Sequence, residues 1–96
     1  MRTITNNAVN AFMNARSFNS NNTSVEVLDH ASYLKLHGNI IAVRYSDGKL
    51  SISNCGWFSN TTKERLNALP NVRIQQKQGV WYLNGNVWDG NLINIV

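Results

Sequence analysis

Acid–base or nucleophilic chemistry in this chain would have to be assembled from two histidines, one cysteine and five carboxylates. A general acid–base mechanism needs a positioned pair of titratable groups. Asp47 and Asp89 are each followed by Gly, the pattern of an Asp that shapes a turn. Glu64 closes the string Thr61-Thr62-Lys63-Glu64, which fits a helix capping box with Thr61 as the N-cap. That leaves Glu26 and Asp29 near His30, and Cys55 alone. A nucleophilic cysteine needs a cationic or imidazole neighbour to lower its pKa, and no spacing brings His30 or His37 to Cys55. Two separated histidines lack the further ligands of a metal site, and a single cysteine excludes an internal disulfide or a cysteine-based zinc site. No phosphate-cradling glycine loop is present. The expectation is a non-enzymatic protein with no catalytic residues, no metal, no cofactor and no small-molecule substrate.

Binding is better supplied. Nine basic and five acidic residues give a formal charge of +4 and a pI near 9.7, which suits nucleic acid or an acidic protein surface. Period-two alternation directs Lys35, His37, Arg44, Lys49, Arg73, Lys77 and Tyr82 away from the core. If their strands are neighbours, they form one basic face with an aromatic ring for base stacking. Lys63 and Arg65 would add a basic ridge on a short helix. An ordinary solvated face of a half-covered antiparallel sheet explains the same pattern, and both readings stand at this point.

The elements that would position these residues are legible from period and punctuation. Residues 5–16 read as an amphipathic helix, with Thr5 as N-cap and Ala8, Ala11 and Phe12 on its apolar side. Residues 17–24 read as a polar, mobile connector. Strands follow over about 25–53, with turns at 29–32, at Gly38-Asn39 and at Asp47-Gly48, the last as a type I′ hairpin. Cys55-Gly56-Trp57-Phe58 leads into a helix over 61–69 that Pro70 stops; Trp57 and Phe58 are expected to clamp it to the sheet. Strands over about 72–96 complete the chain, with Asn84-Gly85 as a hairpin turn and Trp81 and Trp88 in the core or at its rim. Runs of hairpin-joined strands with two helices specify an α+β fold on an antiparallel sheet, in a single domain over 1–96. No apolar run is long enough to span a membrane, and the first residues lack the apolar stretch of a secretory signal.

Several strings carry a resemblance: Leu36-His37-Gly38-Asn39-x-Ile41-Ala42, Asp47-Gly48-x-Leu50-x-Ile52, Gly56-Trp57-x-Ser59-x-Thr61-Thr62-Lys63-Glu64-Arg65-Leu66-Asn67 and Trp81-Tyr82-Leu83-Asn84-Gly85. Over roughly residues 33–90 the chain resembles a family of small proteins encoded by tailed bacteriophages. The resemblance brings no catalytic residue with it. It implies an accessory protein of the host cytoplasm that binds a host protein complex, such as an inhibitor of host defence of the anti-CRISPR kind. The alternative is a nucleic-acid-binding module using the basic strand face. A homodimer formed through an uncovered edge strand is also open.

Overall fold

The computed structural model describes residues 3–29 and 31–95, so the reading of His30 lies outside the described residues. The chain runs through α1 (Thr3–Met13), β1 (Phe18–Ser20), β2 (Thr23–Leu28), β3 (Ala31–Leu36), β4 (Asn39–Tyr45), β5 (Leu50–Ile52), α2 (Asn60–Asn67), β6 (Ile74–Lys77), β7 (Val80–Leu83), β8 (Asn86–Val87) and β9 (Ile93–Ile95). The class is α+β, with every strand pair antiparallel. The strands make two sheets: a six-stranded one in the order β1-β2-β3-β4-β5-β9 and a three-stranded one in the order β6-β7-β8. The last strand thus leaves the small sheet and returns to the large one beside β5.

Helix α1 buries Ala8, Ala11 and Phe12, the stripe expected from helical spacing. It starts before Thr5, which is fully buried within it rather than capping it. It ends earlier than its apolar pattern suggests. Ala15 takes a positive φ of 53° and the Arg16 amide bonds back to the Ala11 carbonyl at 2.8 Å, a Schellman-type stop.

The connector after α1 is a hairpin rather than a loop. Phe18–Ser20 pairs with Thr23–Val25, Asn21 takes the left-handed turn position, and Phe18 packs against the core. Between β3 and β4 the tight turn is His37-Gly38, one residue earlier than expected, with φ values of 53° and 80°. After Tyr45 the chain turns through a type I turn closed by the Gly48 amide on the Tyr45 carbonyl at 2.9 Å. Only Gly48 there has positive φ, so the loop is a three-residue hairpin with a glycine bulge, not type I′.

One irregularity governs which residues share a face. In the β3–β4 ladder Leu34 opposes Ala42 while Lys35 opposes Ile40, so Ile41 is an extra, bulged residue. Arg44 therefore falls on the face of Ser32, Leu34 and Leu50, whereas Lys35 lies on the opposite face with Tyr33 and Glu26. The first of these faces carries Val25, Leu34, Leu36, Ala42 and Ile52, which meet Ala8 and Phe12 of α1, Leu66 of α2 and Trp81 and Trp88 in one buried cluster.

Helix α2 is capped by Ser59, not Thr61. The Ser59 hydroxyl accepts from the Thr62 amide at 3.1 Å. The expected capping box at Thr61 does not form, because Glu64 is engaged elsewhere. Its Oε1 accepts from the Thr5 hydroxyl at 2.5 Å and pairs with the Arg65 guanidinium. At its far end α2 is joined to β6 through Asn67. The Asn67 carboxamide accepts from the Ile74 amide at 2.6 Å and donates to the Ile74 carbonyl at 3.1 Å.

Candidate functional site

The segment between β5 and α2 is fixed at both ends. Cys55 and Gly56 occupy a two-residue turn with φ of 52° and 81°, closed by the Trp57 amide on the Asn54 carbonyl at 2.8 Å. Asn54 is itself held by its amide on Gly90 at 3.0 Å and by its Oδ1 on the Gly56 amide at 2.8 Å. Ser59 then caps α2, so Trp57 and Phe58 are the only residues spanning the gap. They are not core anchors: Trp57 is 58% and Phe58 53% exposed. The interior position is taken by Trp81 and Trp88, whose rings lie 6.2 Å apart within the buried cluster.

Trp57 forms one wall of an open groove of about 530 Å³. Its floor includes Leu36 and Ile41, and its rim carries His37, Asn39, Ser59 and Thr61. Phe58 turns the other way and meets Trp81 edge-on, with centroids 5.1 Å apart and planes at 76°. Lys63 stands over the same indole, its Nζ 5.9 Å from the ring centroid, and donates to Gln76 Oε1 at 2.6 Å. Two half-exposed aromatic rings, an apolar groove and a cation are thus held together by a short, hydrogen-bonded segment. Aromatic side chains fixed beside a pocket are the usual energetic centres of protein–protein contacts. Aromatic composition had suggested a clamp; nothing local in the sequence separates Trp57, which is exposed, from Trp81, which is buried.

The basic residues do not form one face. Lys35 pairs with Glu26 at 2.5 Å, and the bulge at Ile41 puts Arg44 on the other side of the sheet. Lys49 sits in the glycine-bulge hairpin, 3.9 Å from Asp47. His37 occupies the β3–β4 turn at the groove rim. Arg65 is the largest departure from expectation. It is 1% exposed, donates to Thr23 Oγ1 at 3.1 Å and Thr5 Oγ1 at 2.6 Å, and pairs with Glu64. It ties α2 to α1 and β2 and cannot belong to a contact ridge, so Lys63 is the only accessible member of that pair. What does stay together is Lys77, Gln75, Tyr82, Val80 and Val87 on the outer face of the small sheet. Arg73 continues the alternation just before β6. No carboxylate occurs in residues 65–88.

Comparison with known families matches residues 1–94 to the Kyanoviridae Gp96 protein. The chain belongs to the Kyanoviridae Gp96 family. This is a phage protein family, and the match extends well beyond the stretch on which the sequence resemblance rests. No curated protein and no solved structure matches the chain.

Elsewhere in this Gp96-family chain, the exposed Cys55 thiol donates to the Ile40 carbonyl at 2.7 Å. Among the described residues no three His, Cys, Asp or Glu side chains gather where they could hold a metal ion, and no helix is long and apolar enough to cross a membrane.

Proposed function

We propose that this phage protein is a non-enzymatic accessory factor of the host cytoplasm. In this reading it binds a host protein through Trp57, Phe58 and the adjoining groove, and blocks that protein's own contacts. The observation that carries it is the half-exposed Trp57 ring at the wall of the groove, in a segment whose backbone is hydrogen-bonded at both ends, with the half-exposed Phe58 as its chain neighbour. Pre-organised aromatic side chains lose little conformational entropy on docking, so their burial goes largely into affinity. Lys63, which stands over the Trp81 indole that Phe58 also meets, favours a partner that sets an acidic residue beside an apolar anchor. A defence complex as the target, as for anti-CRISPR proteins, rests on the context of a small phage protein.

One observation favours a second reading, as a nucleic-acid-binding module: Arg73, Lys77 and Tyr82 lie on one outer face. Magnitudes set it behind the first. Two phosphate contacts on a single strand give a salt slope of only about −1.4, whereas affinities that rest on the backbone use about 6–10 contacts.

Capture of partners from host lysate on the tagged protein, with and without nuclease and at low and high salt, separates the two. A discrete host protein retained through nuclease and high salt supports the first reading. Nucleic acid recovered at low salt and lost at high salt supports the second. Cys55→Ala and His30→Ala variants that keep full activity against the captured partner support a non-enzymatic mode; loss of activity without loss of binding contradicts it.

A further inference from the structure

Strand β9 pairs only with β5, which leaves its other edge open among the described residues. Open edges are ordinarily guarded by charge, proline, a bulge or a covering element. Residues 90–95 contain neither charge nor proline, whereas the outer edge of β6 is partly closed by Asn67 and carries Lys77 with Arg73 beside it. Apolar side chains crowd the β9 edge instead: Leu92 is 64% exposed, Ile93 41% and, across a cleft, Val87 70%. That cleft, of about 270 Å³, runs between the β9 edge and the small sheet and is floored by Leu83 and Trp88. Ile93 and Ile95 lie on the core face, opposite Ile52 and Leu50; Ile95 packs against the core cluster, and the exposed Ile93 carries the apolar layer out to this edge.

The edge is also self-complementary. Ile93-Asn94-Ile95 reads the same in both directions. Antiparallel pairing about a two-fold axis through Asn94 sets Ile93 of one copy opposite Ile95 of the other, and Asn94 opposite Asn94. An axis perpendicular to the sheet keeps both core faces on one side, so the two clefts meet and each copy's isoleucines close the other's. Two chains of charge +4 can approach here because neither presents a charge along the strand.

We propose that the protein forms a two-fold dimer by antiparallel pairing of β9 with β9, joining two six-stranded sheets into one. This surface is separate from the Trp57 groove, and the dimer stands or falls independently of the host-protein reading.

Sedimentation equilibrium of the full chain in reducing buffer tests it. The expected result is a monomer–dimer equilibrium with no larger species. Asn94→Lys and Asn94→Glu, each of which sets like charges opposite each other at the exposed Asn94 position, weaken association by about 30-fold or more. Mixing the two variants restores a dimer, now a heterodimer, which a merely misfolded variant could not do. Trp57→Ala leaves the equilibrium unchanged. A chain that stays monomeric at every concentration, a dimer indifferent to both Asn94 variants, a mixture that fails to re-associate, or open-ended assembly overturns the proposal.

Discussion

Replacing Arg65 by Met tests whether this side chain is a structural tie or a contact residue. The guanidinium is 1% exposed and bonds Thr5 of α1, Thr23 of β2 and Glu64 of α2. Breaking a buried ion pair from one side costs about 3–5 kcal/mol, because the groups that faced the guanidinium lose its hydrogen bonds and charge in a site closed to water. The Glu64 side chain is 26% exposed and can take up some water, which puts the expected cost near the lower figure, about 3 kcal/mol. A chain of this length has a net stability of roughly 5–14 kcal/mol, so the loss is a large fraction of it. At about 4–8 °C per kcal/mol the melting temperature should fall by roughly 12–24 °C. Thermal unfolding followed by circular dichroism reads this directly, with urea titration as a second measure. An Arg65→Met protein that melts within about 4 °C of the wild type, a change of under about 1 kcal/mol, refutes the tie. If that protein also lost its partner, Arg65 would be a contact residue after all.

Gly90→Ala should destabilise by about 2–5 kcal/mol, because a Cβ there overlaps the buried Asn54 carboxamide and must adopt a φ of 89°; Gly85→Ala, at the same φ but in open space, should cost only about 1–2 kcal/mol in urea titrations. Asn67→Ala removes both bonds to the Ile74 backbone and should cost about 1–3 kcal/mol by the same assay, with faster amide exchange at Ile74. Trp57→Ala should change stability by less than about 0.5 kcal/mol, since the ring is mostly exposed.

Much of the fold is legible in short-range chemistry. Strand β7 falls where alternation puts it, Asn84-Gly85 turns the chain as expected, and α2 stops short of Pro70. These features depend on neighbours in sequence, where propensity and turn geometry act. The failures come from distant partners. Arg65 is buried by groups 42 and 60 residues away, and nothing next to it announces them. The bulge at Ile41 shifts one register by a single residue and so divides Lys35 from Arg44, since every side chain beyond it changes face. Strand β1 is three residues long and mostly polar, too short to show a period. The exposure of Trp57 depends on which tryptophans fill the joint between the sheets, a question of volume that aromatic identity does not answer. The candidate site was therefore legible only in part. The sequence marked Lys63 and His37, missed the groove, and named Arg73, Lys77 and Tyr82 for a face that they share only with one another.

The most direct test of the account is the affinity of the captured host protein for three forms of the chain: wild type, Trp57→Ala and the double variant Arg73→Ala/Lys77→Ala. Isothermal titration at two salt concentrations provides it. The account predicts that Trp57→Ala weakens binding by about 30-fold or more at both salts, as loss of a central aromatic anchor does. The double variant should stay within about threefold of wild type, the small effect of rim charges. Equal affinity of Trp57→Ala and wild type, with binding lost in the double variant and abolished by salt, would contradict it.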